Sequence, residues 1–238
     1  MKNLIVKSIL GLALTAGLVG VAVNPAMAIT KPTPGAGQAD KLTALQALAV
    51  TQTNARLDIL NKGITKINAN KYVDPTIKAK VLTNLNNDVT GITTLAAKIA
   101  ADTDLATAKT DYKSLFTEYR VYAVVIPQST YAVAASDITY GAVPKLTSAQ
   151  TKLNTLLTTV DKSKMTPEIQ AKLTDMSNQI ETAKTTATSI PDTVLAITPA
   201  DFNSNNQVLA ASRANIKTAS AAVKQATADG KAIMAAIK

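Results

Sequence analysis

The chain has 238 residues, 25 Lys and Arg against 16 Asp and Glu, and neither Cys nor His. Without thiolate or imidazole, the Ser–His and Cys–His nucleophile pairs and the usual zinc sets are excluded, so no cofactor is expected and any catalysis would fall to carboxylate, Lys or Tyr. Only Arg56, Arg120 and Arg213 carry a guanidinium; a field made mostly of lysine point charges argues against sequence-specific nucleic-acid reading and leaves attraction to an anionic wall polymer, a lipid surface or extracellular DNA.

Residues 1–28 read as a secretory signal. Lys2 and Lys7 form its basic start, Ile9 to Val23 its apolar stretch and Ala26-Met27-Ala28 its small-x-small cleavage site. The apolar run falls short of the ~20 residues that span a bilayer, and Asn24-Pro25 ends it. Cleavage after Ala28 would leave 210 residues; with Lys2 and Lys7 gone, 23 basic residues face 16 acids, a net charge of +7. The product is expected to be secreted, whether extracellular, wall-associated or periplasmic, and in a chain without cysteine its stability comes from burial and not from cross-links.

Residues 29–38 (ITKPTPGAGQ) form a flexible Pro/Gly linker, and residues 39–238 are expected to be one helical domain. Apolar residues recur at helical spacing: Leu57, Leu60, Ile64 and Ile67; Leu82, Leu85, Val89, Ile92, Ala96 and Ile99; Leu146, Ala149, Leu153, Leu156 and Val160. The stripe continues through Ile169, Leu173, Met176, Ile180, Ala183, Ala187 and Ile190. It closes with Leu209, Ser212, Ile216, Ala219, Val223, Ala226, Gly230, Ile233 and Ile237, where small residues at alternate positions let helix axes approach.

Helix starts are marked as regularly. Asp74-Pro75, Thr166-Pro167 and Thr198-Pro199 each place a capping oxygen ahead of a proline at the first helical position, and Thr198 with Asp201 approximates a capping box. The spacing predicts helices over 39–70, 75–101, 104–120, 128–161, 167–188 and 200–237, the last more than ~50 Å long at ~1.5 Å per residue. The fold class is therefore all-α: an elongated antiparallel helical bundle with coiled-coil-like long helices. "PTIKAKV" at Pro75 and "PEIQAKL" at Pro167 share Pro, Ile, Ala and Lys in register. Duplication of a three-helix unit would explain the likeness, and so would the common look of capped amphipathic helices.

The motifs exclude more than they assign. In "ADTDLATAKTD", which holds Asp102, Asp104 and Asp111, the first two resemble half of a calcium loop, but the further oxygen ligands, the turn glycine and the bidentate Glu are missing, so the stretch reads as a helix N-cap and no metal is assigned. Gly35 and Gly37 lack the strand and the GK[ST] of a phosphate loop. Lys217, Lys224, Lys231 and Lys238 fall seven apart on the final helix, with Arg213 nearby and Asp229 the only acid beyond Phe202. They are a candidate polyanion-binding ladder, although a solvated helix face carries the same pattern.

Six of the eight aromatic residues fall between Tyr112 and Tyr140. Tyr112, Phe116 and Tyr119 share a helical face; Val121 to Ile126 is then β-branched and stops at Pro127, which reads as a break of extended character between two helices. Gly141 and Pro144 add a kink in what is otherwise one helix. A packed plug with tyrosines at its rim explains the cluster; a recognition surface is the other reading, with Tyr119, Arg120, Tyr122 and Tyr131 as candidate binding residues and Arg120 facing its tyrosine neighbours.

"ADTDLATAKTDY", "YRVYAVVIPQ" and "LAITPADFNSN", in this order behind a signal, resemble an uncharacterised family of secreted bacterial all-helical proteins in which a DTDL element precedes an RVY-x4-P element. The resemblance implies export and an all-helical body and brings no activity, cofactor or catalytic residue. Gly141 and Pro144 interrupt the helix that such relatives would continue. The functional expectation is a non-enzymatic, envelope-associated binding or structural module whose partner is an anionic envelope polymer, a lipid surface or another protein. A carboxylate-dependent glycan-active enzyme and a surface-active, lipid-binding amphipathic protein are the alternatives.

Overall fold

The computed structural model describes residues 37–159 and 164–237; the expected signal, residues 29–36 of the linker, Val160, Asp161 and Lys238 lie outside the described residues. Within them the chain is all-helical and contains no strand. Nine α-helices are described: α1 (Gln38–Ala69), α2 (Pro75–Ala101), α3 (Leu105–Thr117), α4 (Ile126–Ser136), α5 (Val143–Leu157), α6 (Pro167–Thr188), α7 (Ile190–Leu195), α8 (Pro199–Ser204) and α9 (Ala210–Ala236). Two π-helical turns, Val121–Val125 and Asp137–Ala142, flank α4.

The helix starts follow from their caps. Asp74 accepts from the amides of Thr76 and Ile77, Asp104 from those of Ala106 and Thr107, and Thr166 from Ile169. Thr198 and Asp201 complete a reciprocal capping box. Each satisfies amides that the first helical turn leaves without a partner.

α1 and α2 run antiparallel. Gln46, early in α1, donates to the carbonyls of Ile99, Ala100 and Asp102 at the far end of α2, while Lys78, early in α2, donates to those of Asn68 and Asn70. α3 packs on both. α6 and α9 pair in the same sense: Lys164, just before α6, donates to the carbonyl of Ile237, just after α9, and α5 packs on both. Between these two sets lies α4, which packs on α2, α7 and α9. Buried Gln128 fixes it there by donating to the carbonyls of Val194, at 2.7 Å, and Ile197.

The apolar stripe is the core. Leu60, Leu85, Ile92, Leu153, Met176, Ile190 and Ile233 are fully buried. On α9 the small seam residues Ser212, Ala219, Ala226 and Gly230 are buried as well, which lets α6 lie close along the whole helix.

Two expectations change. Val121–Val125 is not extended. The chain breaks earlier, at Arg120, whose backbone is left-handed (φ 43°, ψ 38°), and then winds into a π turn that runs directly into α4. Pro127 does not stop that helix; α4 continues from the π turn straight through it. The final helix does not run unbroken from 200 either: α8 ends at Ser204, Asn205 takes an extended conformation, and α9 starts at Ala210. At ~1.5 Å per residue α9 is about 40 Å long. Where Gly141 and Pro144 are expected to kink one helix, the structure has the second π turn between α4 and α5, and in it Gly141 lets the Tyr72 side chain approach to 3.2 Å of where a Cβ would stand.

Candidate functional site

The four residues expected to form one aromatic surface go to different partners. The Tyr119 ring lies over Gly91 of α2, with its hydroxyl 2.6 Å from where a Cβ would stand. Burial pushes the Tyr119 hydroxyl up from its ordinary value, and the charges of Glu118 and Asp88 push the same way. Arg120 does not face its tyrosine neighbours. Its left-handed backbone turns it toward α8, where Nε donates to Asn203 Oδ1 at 2.8 Å and the guanidinium lies 5.4 Å from the Phe202 ring centre. Asn203 returns a bond to the Thr117 carbonyl, so the end of α3 is fastened to α8. Tyr131, on α4, accepts from Arg213 Nε at 2.9 Å.

The guanidinium that does meet Tyr122 belongs to Arg56 of α1. It lies 4.6 Å from the Phe116 ring centre and 5.3 Å from that of Tyr122, with Tyr112 edge-on to Phe116 at 5.2 Å. Arg56 is 4% exposed, and burial lowers its pKa against the opposing influence of Tyr122 and Tyr112. Sequence reasoning counts it among the three arginines and gives it no role. The signal was present in the spacing: Ala49, Thr53, Arg56, Leu60 and Ile67 step by four, three, four and seven, and all are buried. An Arg in a seam position is a buried Arg.

On α9, Lys217, Lys224 and Lys231 are exposed on one face at intervals of about 10.5 Å. Lys238, the fourth of the series, lies outside the described residues. Arg213 is exposed too, but its Nε is held by Tyr131. Asp229, the single acid of this helix, is 4% exposed and points into the α6–α9 seam. There it is hydrogen-bonded to Asp175, and Gln225 donates to both carboxyls. Burial raises the pKa of Asp229, while hydrogen bonds from Gln179 and from Asp229 itself lower that of Asp175. The two carboxyls stand together beside Gln225, an arrangement with no counterpart in the expectations drawn from the sequence.

The remaining acids are mostly structural. Asp104, Asp74 and Asp201 cap helices. Asp111 pairs with Lys98 at 2.9 Å, and Asp137 accepts from Asn70. Asp88 stands apart: it is half-buried on α2, one turn from Gly91 and the Tyr119 hydroxyl, and burial pushes its carboxyl up to about 6. No helix among the described residues is long and apolar enough to cross a membrane. No protein-family model, curated protein or solved structure matches this chain.

Proposed function

We propose that this chain is an exported, non-enzymatic helical protein of the cell envelope that holds an anionic polymer along the outer face of α9. The observation that carries the reading is the one-signed surface of that helix. Lys217, Lys224 and Lys231 are exposed in register, and the one acid that would neutralise them, Asp229, is turned inward onto Asp175. A row of cations about 10.5 Å apart displaces the condensed counterions of a polyanion without needing shape recognition.

In the same reading the body is an elongated antiparallel bundle with coiled-coil-like long helices, built from two related three-helix units. The antiparallel pairs α1–α2 and α6–α9 support it, as does the packing of α2 with α1 and α3 and of α6 with α5 and α9. The geometry gives the glycan-cleaving alternative little support. Asp175 and Asp229 bond directly to each other between packed helices, whereas glycosidase carboxyls stand about 5 to 10 Å apart across a cleft.

The test is retention of the protein on an immobilised polyphosphate at rising salt. Replacing Lys217, Lys224 and Lys231 together by Ala should weaken retention and flatten the dependence of log K on log salt by roughly two to three. Retention unchanged in the triple variant removes α9 as the binding face. Capture by vesicles of neutral lipid that persists in high salt would favour the surface-active alternative instead.

A further inference from the structure

Arg56 poses a problem that the α9 reading leaves untouched. A guanidinium as buried as this one ordinarily faces a carboxylate, because an uncompensated charge away from water is costly. Among the described residues the ion pairs are Lys62–Asp58, Lys80–Asp192 and Lys98–Asp111, and Arg56 belongs to none. Its Nη1 donates to the carbonyl and to the Oε1 of Gln52, both at 2.9 Å. Its Nε–H is buried and has no acceptor, and Nη2 makes no hydrogen bond among the described residues. These two nitrogens form the side edge of the guanidinium, whose two parallel N–H groups match the two oxygens of a carboxylate.

The surroundings suit a ligand more than they suit a packed core. Phe116 and Tyr122 stand against the guanidinium, Tyr112 packs edge-on to Phe116, and Phe116 is 37% exposed. Tyr122 reaches this position only because Arg120 adopts a left-handed backbone and the next five residues wind as a π turn. Both are costly local choices of the kind that persists where the surrounding structure requires it.

We infer that the free edge of Arg56 is a receptor for a ligand carboxylate, and that the ligand is an acidic sugar whose ring lies against Phe116 and Tyr122. Phe116 sits on the last turn of α3 over the face of the guanidinium and is itself exposed, so the cluster reaches the surface while the edge of the fork stays free. The aromatic faces then cover the apolar side of the sugar, and the Tyr112 and Tyr122 hydroxyls are within the same cluster for its hydroxyl groups. This site is separate from α9 in position and in chemistry: it reads one group in fixed geometry, where α9 holds many charges loosely.

The probe is glucuronate, followed by NMR of the arginine Nε–H groups. The chain has only three arginines, so each signal is assigned by one variant. The expected result is a saturable shift of the Arg56 signal with glucuronate, no such shift with glucose, and a much weaker one with acetate. Arg56→Lys keeps the charge but loses the fork and should bind glucuronate at least ten-fold more weakly; Phe116→Ala should also weaken binding while leaving the fork in place. No shift of the Arg56 signal in the wild-type protein overturns the proposal, and so does equal affinity for glucose. Equal affinity for acetate and glucuronate overturns the sugar part. Should Arg56→Lys fail to fold, the wild-type titration still decides. Loss of binding in the α9 triple variant with the Arg56 signal unmoved would show that the only site is the lysine face.

Discussion

Asp88 makes the stability of the molecule depend on pH in a direction that can be worked out in advance. Its carboxyl titrates near 6 in the folded chain, against an ordinary 3.8, because burial disfavours the charged form. The folded state therefore holds the proton more tightly than the unfolded state does. Between about pH 4 and about pH 6 the unfolded chain releases this proton and the folded one keeps it, so stability falls as pH rises through that window and is level above it. At ~1.4 kcal/mol per pH unit, the full difference would be about 3 kcal/mol. The carboxyl is only half-buried, and solvent screening reduces this to about 1 to 2 kcal/mol. Asp88→Asn keeps the shape and removes the charge. Urea unfolding followed by circular dichroism should show the variant more stable than wild type by that amount near neutral pH and equal to it below about pH 4. Asp102, Asp137 and Asp229 are also raised by burial, so a slope of the same sign remains in the variant, and the difference between the two proteins is the quantity to read. A variant no more stable than wild type at neutral pH would refute the assignment of this cost to Asp88.

Other substitutions test the packing. Gly91→Ala places a Cβ 2.6 Å from the Tyr119 ring and should destabilise by about 1 to 2 kcal/mol despite the better helix propensity of Ala, with much of the loss recovered in the double variant with Tyr119→Ala; a double-mutant cycle reads the coupling. Leu153→Ala, at a fully buried position of α5, should cost about 2 to 5 kcal/mol in the same unfolding assay. Thr198→Ala removes the hydroxyl side of the capping box and should cost about 1 kcal/mol, measurable as a lowered thermal midpoint.

Much of this fold was legible because its helices announce their starts. Asp74-Pro75 and Thr166-Pro167 place α2 and α6 at their observed first residues, and the stripe from Leu209 to Ile237 marks the buried face of α9. What escaped the reading has no local signature. A π turn differs from an α turn by one hydrogen-bond step, and nothing in Val121–Val125 encodes that step; β-branched side chains there argued for extended backbone until packing against α1 decided otherwise. Asn203, Asn205 and Asn206 carry a turn signal that a reading by apolar spacing does not use. The candidate site shows the same division. The lysine series stood out in sequence because its members share one helix, whereas Arg56, Phe116 and Tyr122 come from three segments that only tertiary packing brings together. Asp88 and Asp229 carry no role in the sequence because the reading takes only apolar residues as seam members, although both stand three or four residues from one: Asp88 from Leu85 and Ile92, Asp229 from Ala226 and Ile233.

The two π turns also set how the chain tolerates a change of length. Each holds one residue more than an α-helix would use over the same hydrogen bonds. Deleting a single residue from Asp137–Ala142 would let ordinary α winding resume between α4 and α5 with the helix faces on either side still in phase. The same deletion inside regular α5 would rotate everything beyond it by about 100°. At the π turns the molecule holds a spare residue, and a gap that would unmatch the faces of an ordinary helix is absorbed there.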